Sequence, residues 1–213
     1  MADCNIYLVR HGETLFNTLK RMQGWCDSDL TSRGQAQAIA TGKKLQTVKF
    51  AEAVFSNLSR AVETGNLILQ QLKQPVLRVR YDPNFREVFF GSFEGLEIKD
   101  TWQRIAQPQG YHGQSEIIAQ KGLPEVRRLM KAADPQHWAE SYDQVLQRWR
   151  KGLQQIYQQA APDSNILIVT HGTFIRTLAD YHGIDTLKNY PANASVSLLR
   201  LSSREVKFVN YNQ

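Results

Sequence analysis

Two short apolar runs that each end in a His-Gly pair constrain the fold of this chain more than any other feature. Residues 4–9 stop at Arg10-His11-Gly12-Glu13, and residues 166–169 stop at Thr170-His171-Gly172-Thr173. An abrupt change from apolar to polar is typical of a buried strand that delivers side chains at its carboxyl end. Because open α/β sheets place ligand sites at the carboxyl ends of parallel strands, we expect the two histidines to meet there.

The rest of the chain alternates between strand-like and helix-like patterns. Ser32 and Gln35 have capping-box spacing and predict a helix from Ser32 to about Leu45. This order predicts an α/β protein, a three-layer α/β/α fold with a mostly parallel central sheet. The other predicted elements are a strand at 50–55, a helix from 56–60 to about Leu72, a β-prone stretch at 76–80, a helix with Val145, Trp149, Leu153 and Ile156 on one face, a helix after Thr173, and closing strands at 195–201 and 205–209.

The chain length fits one α/β domain, and we expect residues 1–213 to form a single domain. Residues 96–139 contain no clear strand and are interrupted by glycine and proline. We therefore expect a helical insertion at about 96–139, lying over the active site. Its aromatic residues Trp102, Tyr111 and Trp138 either line a pocket for an apolar leaving group or form the insertion's own core.

The net charge suggests an anionic partner but does not identify it. Lysine and arginine number 26 against 20 aspartate and glutamate residues, a formal charge of +6. Nucleic acid, an anionic membrane surface and a phosphorylated small molecule all fit this excess. The basic residues are scattered, with only pairs at Lys43-Lys44 and Arg127-Arg128, so a non-catalytic basic binding module is a remote alternative.

The two cysteines and the amino terminus bear on the compartment. Cys4 and Cys26 are too few for a disulfide framework and fit no metal motif. The chain opens with no basic segment followed by an apolar stretch, and no run approaches the roughly 20 apolar residues of a membrane span. These features predict a cytoplasmic protein with no membrane or nucleic-acid partner, while a homodimer stays open.

Four motifs in sequence order stand out beside the strand ends. They are Leu8-Val9-Arg10-His11-Gly12-Glu13-Thr14 with Asn17 and Gln23-Gly24-Trp25-x-Asp27-Ser28-x-Leu30-Thr31-x-x-Gly34, then Ser56-x-Leu58-x-Arg60-Ala61-x-Glu63-Thr64, then Arg86-Glu87-x-x-x-Gly91-x-x-Glu94-Gly95, then Val169-Thr170-His171-Gly172. Together they are similar to the histidine phosphatase superfamily, which contains phosphoglycerate mutases and related phosphatases, and Gln23-Gly24-Trp25 resembles its broad-specificity phosphatase branch. The resemblance covers residues 4–95 and 140–200.

The resemblance implies a role for each matching residue. His11 is the nucleophile that becomes a phosphohistidine, and Glu87 protonates the leaving alcohol and later activates water. The resemblance also implies a phosphate-binding set, which consists of Arg10, Asn17, Gln23, Gly24, Arg60, His171 and Gly172.

Physical chemistry fits these assignments. A phosphate monoester carries about two negative charges, which planar arginine forks can bind, and the helices after His11 and His171 are expected to add backbone N–H groups. Arginine and histidine then supply the charge stabilisation, so we expect neither a metal nor another cofactor. Asp27-Ser28-Asp29 is the closest approach to a metal signature, and we interpret it as a loop and helix-capping element.

The sequence thus predicts a phosphoric monoester hydrolase, a metal-independent phosphatase of small phosphorylated substrates. The alternative is phosphoryl transfer of the phosphoglycerate mutase type. Those mutases carry a basic and aromatic stretch with paired arginines after the glutamate motif, and residues 96–110 lack it. Ala139-Glu140-Ser141 also departs from the Gly-Glu-Ser of many members, so the physiological substrate is left open.

Overall fold

The computed structural model describes residues 3–76, 78–203 and 205–213. Within them, six strands form one sheet and seven α-helices surround it. The strands are β1 (Cys4–Arg10), β2 (Phe50–Phe55), β3 (Arg78–Tyr81), β4 (Asn165–Thr170), β5 (Val196–Leu201) and β6 (Val206–Asn210). The helices are α1 (Leu15–Thr18), α2 (Ser32–Leu45), α3 (Ser59–Leu69), α4 (Ile98–Ala106), α5 (Gln114–Ala133), α6 (Tyr142–Gln159) and α7 (Gly172–Tyr181).

The sheet is mostly parallel, as predicted. Its strand order is β3-β2-β4-β1-β5-β6, with parallel pairing from β3 to β1 and antiparallel pairing of β5 and β6 at the other edge. In the centre, Arg10 of β1 lies opposite Thr170 of β4. The two His-Gly pairs therefore follow neighbouring strands that end at the same level.

Alternate residues of the strands pack on opposite faces of the sheet, which gives the three predicted layers. Leu8 and Ile168 belong to a core shared with α4, α5, α6 and α7. Val9 and Val169 belong to a second core shared with α2 and α3. This period of two is the geometry of a strand with both faces covered.

The predicted helical insertion contains α4 and α5. Gly122 divides α5, because its φ of 81° and ψ of 175° are not helical. A positive φ of this kind costs glycine little and other residues more. Among the described residues, no helix is both long and apolar enough to cross a membrane.

The structure corrects several predicted boundaries. The side chain that caps α2 belongs to Thr31, which accepts a hydrogen bond from Gly34 N at 3.0 Å, so the cap lies one residue before Ser32. Helix α3 ends at Leu69 rather than near Leu72. The β-prone stretch at 76–80 corresponds to β3, although Leu77 lies outside the described residues.

Three aromatic rings behind the sheet edge connect the helical layer to the loop after β3. Phe85, Trp149 and Phe174 have ring centroids 5.9–6.4 Å apart in edge-to-face contacts. Gly152 of α6 lets Phe85 approach, because a Cβ on Gly152 would lie 2.7 Å from Phe85 Cζ. The close approach of Phe85 therefore requires a residue without a side chain at position 152 of the helix.

We expect Gly152→Ala to destabilise the protein even though alanine is the better helix former. Alanine improves intrinsic helix propensity by about 1 kcal/mol, but its Cβ forces the fully buried Phe85 out of place. Overpacking of this kind costs about 1–3 kcal/mol, so the free energy of unfolding, measured by urea denaturation, should fall. Lys151→Ala on the exposed side of the same helix is the control, and equal stability of the two variants would contradict the packing argument.

Candidate active site

Two buried histidines meet at the carboxyl ends of β1 and β4. The ring centroids of His11 and His171 are 5.2 Å apart, and His11 N donates a hydrogen bond to Thr170 O at 2.9 Å. The exposed fractions of the two residues are 3% and 0%. The pairing of β1 with β4 places them together although they are distant in sequence.

A cavity of about 230 Å³ opens beside these histidines. Five of the residues that the sequence predicts for the site line it directly: Arg10, His11, Asn17, Gln23 and Glu87. The cavity lining among the described residues does not include Arg60, His171, Gly24 or Gly172. The phosphate-binding role of these four stays a prediction.

The hydrogen bond of His11 defines which ring nitrogen is reactive. His11 Nδ1 lies 2.7 Å from the carbonyl oxygen of Gly12. A carbonyl oxygen only accepts, so Nδ1 carries the proton and Nε2 keeps its lone pair. Burial, with the positive charges of Arg60 and Arg10, holds the pKa of His11 well below its usual value of 6.5. The ring is therefore neutral near pH 7, as a nucleophile must be.

His171 is held from the neighbouring strand. Its Nε2 lies 2.7 Å from Ser56 Oγ, and Ser56 follows β2 directly. Its buried Nδ1 has no hydrogen-bond partner in the described part of the chain. Burial is also the main reason why the pKa of His171 is well below 6.5, and nearby Arg60 and His11 add to it.

Glu87 brings a carboxyl group to the cavity from the loop after β3. Oε1 accepts from Val88 N and Phe174 N at 2.8 and 2.7 Å, and Oε2 accepts from Thr173 N at 2.9 Å. Burial raises the pKa of Glu87, and these three N–H groups oppose that rise. Because Oε1 already accepts two hydrogen bonds, Oε2 has the lone pair that can carry an exchangeable proton.

The backbone amides near the two histidines differ from the sequence expectation. The amides of Thr173 and Phe174, at the start of α7, donate to Glu87. After His11, Gly12 N donates to Thr64 Oγ1 at 3.0 Å, and Glu13 N donates to Gln37 Oε1 at 3.0 Å. The expectation that these amides point at the phosphate is wrong, because protein acceptors occupy them.

Arg10 is oriented by its neighbours. Its Nη1 donates to Pro191 O at 2.7 Å, and its buried Nε lacks a partner among the described residues. Its guanidinium lies 5.3 Å from the ring centre of Tyr190. Gly172 makes room for both, since a Cβ there would lie 2.6 Å from Tyr190 Oη and 2.8 Å from Arg10 Nε. Gly172 therefore acts on the position of Arg10.

Arg60 is fully buried and is bound by the loop at residues 23–27. Nη1 donates to Cys26 O at 3.0 Å and to Asp27 Oδ1 at 2.9 Å, and Nη2 donates to Gly24 O at 2.7 Å. Asp27 also accepts from the N–H of Ser59, the first residue of α3. Asp27 thus contacts the start of α3 from a distant loop, whereas Leu58, the residue before α3, makes no side-chain cap.

Glu94 holds this same loop in place. Its two carboxylate oxygens accept from Gly24 N, Trp25 N and Cys26 N, and from Phe90 N, at 2.9–3.1 Å. The N–H of Gly24 is therefore already used within the protein. A motif residue that the sequence leaves without a role thus positions the carbonyls that bind Arg60.

Asn17 and Gln23 differ in what they offer to the cavity. Asn17 Oδ1 accepts from Thr14 N and Asn193 Nδ2, so its NH₂ group is the part suited to an anion. Both ends of the Gln23 amide bond within the protein, to Thr14 Oγ1 at 2.7 Å and Ser28 Oγ at 2.9 Å. Gln23 therefore shapes the wall, whereas Asn17 can contact a ligand.

Several residues that line the cavity were missed by sequence reasoning. Trp102, for which both a pocket and a core role were open, lines the cavity and is also buried in the core. His112 and His137 are exposed, as expected of surface histidines. In the sequence, Arg127 is only one member of the Arg127-Arg128 pair, with nothing to mark it as a cavity residue. The missed residues include Arg21, Gln114, Arg127, Thr173, Arg176 and Tyr190.

The chain is similar to known proteins in sequence and in fold. The sequence profile of the histidine phosphatase superfamily (branch 1) matches residues 6–213. The chain is 30% identical over 175 residues to a protein named 2,3-bisphosphoglycerate-dependent phosphoglycerate mutase 2 from Gloeobacter violaceus, covering 81% of this chain and 73% of the relative.

Solved structures share the whole fold. A crystal structure described as phosphoglycerate mutase from Bacillus anthracis superposes with a TM-score of 0.92 at 31% identity, covering 100% of this chain and 94% of the other. A mycobacterial glucosyl-3-phosphoglycerate phosphatase superposes with a TM-score of 0.69 at 24% identity, covering 99% of each chain. This second likeness shows the fold alone.

The buried histidines should make stability depend on pH. The pKa values of both histidines are lower in the folded protein than in the unfolded chain. Near pH 6.5 the unfolded chain therefore binds protons that the folded protein does not bind, so the free energy of unfolding decreases as the pH falls below 6.5. Between pH 7.5 and 5.5 this loss is up to about 1.4 kcal/mol per histidine. We expect the double variant His11→Gln/His171→Gln to lose less unfolding free energy over this interval than the wild type.

Urea denaturation at the two pH values measures this difference. Glu87 is present in both proteins, so its own contribution cancels. His137→Gln removes an exposed histidine and should keep the wild-type dependence. Equal dependence in the wild type and the double variant would contradict the assignment of neutral buried histidines.

Proposed function

The chain belongs to the histidine phosphatase superfamily, and on that premise we propose that it hydrolyses small phosphate monoesters through a phosphohistidine, without a metal. One observation carries the proposal. His11 is a neutral imidazole whose Nδ1 is bonded to Gly12 O and whose Nε2 is unprotonated, in a cavity lined by arginines and by Glu87. A nucleophile, cationic groups and a proton donor thus share one small space.

In the first step His11 Nε2 attacks phosphorus and the bond from phosphorus to the ester oxygen breaks. The leaving oxygen takes the proton from Glu87 Oε2, so an alcohol departs and Glu87 becomes a carboxylate. Phosphorylation of Nε2 makes the ring cationic, and the Gly12 carbonyl at Nδ1 stabilises that charge. Arg10 is available to the transferring oxygens through its unpaired N–H group.

In the second step water attacks the phosphohistidine. Glu87 accepts a proton from the water, the bond from phosphorus to nitrogen breaks, and phosphate leaves a neutral His11. Three backbone N–H groups stabilise the carboxylate form of Glu87 that exists between the two steps. Burial favours the protonated form of Glu87, which the second step regenerates. The opposing influences on Glu87 suit a group that alternates between acid and base.

A phosphoglycerate mutase is the second candidate, and the similarity to proteins named phosphoglycerate mutase favours it. The two reactions use the same nucleophile and differ in the fate of the phosphohistidine. Release of inorganic phosphate from 3-phosphoglycerate faster than its isomerisation, with and without 2,3-bisphosphoglycerate, supports the phosphatase. The reverse order of rates assigns the mutase.

We expect turnover of a panel of phosphate monoesters to continue in EDTA. His11→Ala should lower kcat by at least about 10³-fold, because the covalent route is lost. Wild type quenched in alkaline detergent, in which phosphohistidine is stable, should retain ³²P from a labelled substrate on His11. His112→Ala, at an exposed histidine of the insertion, is the matched control. A requirement for added Mg²⁺, or full activity of His11→Ala, would overturn the mechanism.

Deprotonation of Glu87 should cause the loss of activity on the alkaline side of the pH profile. Activity needs its protonated form, so kcat/KM should fall as pH rises through its raised pKa. Glu87→Gln should remove this limb and lower kcat by about 10²–10⁴-fold for alkyl phosphates, but less for p-nitrophenyl phosphate, whose leaving group needs no proton. Glu63→Gln on α3 should behave as the wild type, and an unchanged alkaline limb in Glu87→Gln would show that another group titrates.

A further inference from the structure

The loop that carries Glu87 has little regular structure of its own. Residues 82–97 connect β3 to α4 and contain no strand and no α-helix among the described residues. Such a loop is normally mobile, because its backbone groups bond to water rather than to each other. The proposed reaction nevertheless needs Glu87 at a fixed position, since a displacement of about 1 Å can cost about 10²-fold in rate. Groups outside the loop must therefore hold it.

Arg148 of α6 binds the backbone of this loop at three points. Its Nη1 donates to the carbonyl oxygens of Asn84 and Arg86 at 2.9 and 2.6 Å. Its Nη2 donates to the carbonyl oxygen of Glu87 at 2.9 Å. A guanidinium offers its N–H donors in a rigid plane, and its charge strengthens each hydrogen bond. One side chain thus fixes the backbone from residue 84 to residue 87.

Glu140 orients Arg148 and also binds the loop beyond Glu87. Its carboxylate forms a two-point ion pair with Arg148, from Nε to Oε1 at 2.9 Å and from Nη2 to Oε2 at 3.0 Å. Oε2 also accepts from Phe89 N, and Glu140 N donates to Phe89 O, both at 2.9 Å. Glu87 therefore lies between backbone groups that this ion pair binds on each side.

Both members of the ion pair are shielded from water. The side chains of Arg148 and Glu140 are 12% and 13% exposed. Shielded charges attract each other more strongly than exposed ones, and bidentate contact fixes the orientation of both partners. The pair is therefore a rigid support for the loop and not a mobile surface contact.

Arg148 also contacts a residue that binds the carboxyl group of Glu87. Its guanidinium lies 4.7 Å from the ring centre of Phe174, and Phe174 N donates to Glu87 Oε1 at 2.7 Å. A cation is attracted to the face of an aromatic ring. The same side chain thus holds the backbone of Glu87 and packs against a donor to its Oε1, which leaves a lone pair of Oε2 for the proton that the reaction transfers.

We propose that the Arg148–Glu140 pair positions the proton donor, holding Glu87 Oε2 at the leaving oxygen, and takes no part in binding the phosphoryl group. This proposal rests on the proposed function for the role of Glu87. Among the described residues, Arg148 shares no hydrogen-bond partner with Arg10 or Arg60. Loss of Arg148 should therefore impair proton transfer and leave phosphate binding intact.

Steady-state kinetics of the whole chain with two substrates test this separation. Benzyl phosphate and p-nitrophenyl phosphate are similar in size, but the benzyl alcohol oxygen needs a proton to leave and p-nitrophenolate does not. We expect Arg148→Met to lower kcat/KM by about 10–100-fold for benzyl phosphate and by less than about 3-fold for p-nitrophenyl phosphate. The inhibition constant of inorganic phosphate should change by less than about 3-fold, because Arg148 and the phosphate-binding arginines are independent.

Arg150→Met is the matched control. Arg150 lies on the same helix, is exposed, and has its guanidinium 5.4 Å from the ring centre of Tyr181, so the variant also removes a contact between an arginine and an aromatic ring. It should behave as the wild type with both substrates.

Glu140→Gln is the second variant, in case thermal unfolding shows that Arg148→Met does not fold. Glutamine keeps the shape of Glu140 and removes the charge that orients Arg148. We expect this variant to lose at least about 3-fold more kcat/KM with benzyl phosphate than with p-nitrophenyl phosphate.

A third variant asks whether Arg148 acts through Glu87. In the Glu87→Gln background, Arg148→Met should lower kcat/KM for benzyl phosphate by less than about 2-fold more, because the group that Arg148 positions is already lost. A full further loss in this background overturns the proposal. So does an equal loss with the two substrates in Arg148→Met, or a matching loss of affinity for inorganic phosphate, since either shows a general disturbance of the site.

Glu87→Gln alone separates this proposal from the function on which it rests. If Glu87→Gln shows a selective loss with benzyl phosphate and Arg148→Met does not, the proposal is wrong and the proposed function stands. If Glu87→Gln shows no selective loss, Glu87 is not the acid, and both are wrong. Selective loss in both variants, without addition in the double variant, supports the proposal whether the phosphohistidine is then hydrolysed or returned to a substrate.

Discussion

Burial of positive charge without full hydrogen bonding is the constraint on which this structure depends. Seven buried side-chain nitrogen and oxygen atoms of the described residues lack a partner, and four of them belong to Arg10, Arg60 and Arg127. Each such group is costly in an apolar interior. The protein offsets part of this cost with fixed acceptors, such as Asp27 and the carbonyls of the 23–26 loop around Arg60. The unpaired N–H groups of Arg10 and Arg127 belong to residues that line the cavity beside His11.

Glu87 is the point at which the layers of the fold converge. Its carboxylate receives the first amides of α7, its backbone carbonyl accepts from Trp25 Nε1 and Arg148 Nη2, and the preceding Phe85 packs against α6. Arg148 also binds Glu140 through two oxygens, at 2.9 and 3.0 Å. Glu87 is thus positioned by residues from three stretches of the chain besides its own loop.

The parts of the fold that follow from local pattern were predictable, and the parts that depend on distant partners were not. The apolar runs ending in His-Gly predicted β1, β4 and the meeting of His11 with His171. A buried strand and its end are recognisable from a few consecutive residues, without knowledge of distant partners. The cap of α2 was assigned to Ser32 instead of Thr31, since neighbouring hydroxyl residues compete for one position. Arg127 gave no signal, because an arginine in a helix reads as exposed until tertiary packing buries it. The backbone amides after the two histidines were misjudged because their acceptors, Glu87, Thr64 and Gln37, come from other parts of the sequence.

The placement of the two walls of the cavity has a consequence for how such a protein can diverge. The groups around the phosphoryl position come from strand ends spread over the whole chain, whereas Ile98, Trp102, Gln114 and Arg127 come from one uninterrupted stretch. Replacement of that stretch alone would reshape one wall of the cavity while the strand ends that carry His11 and His171 stay intact.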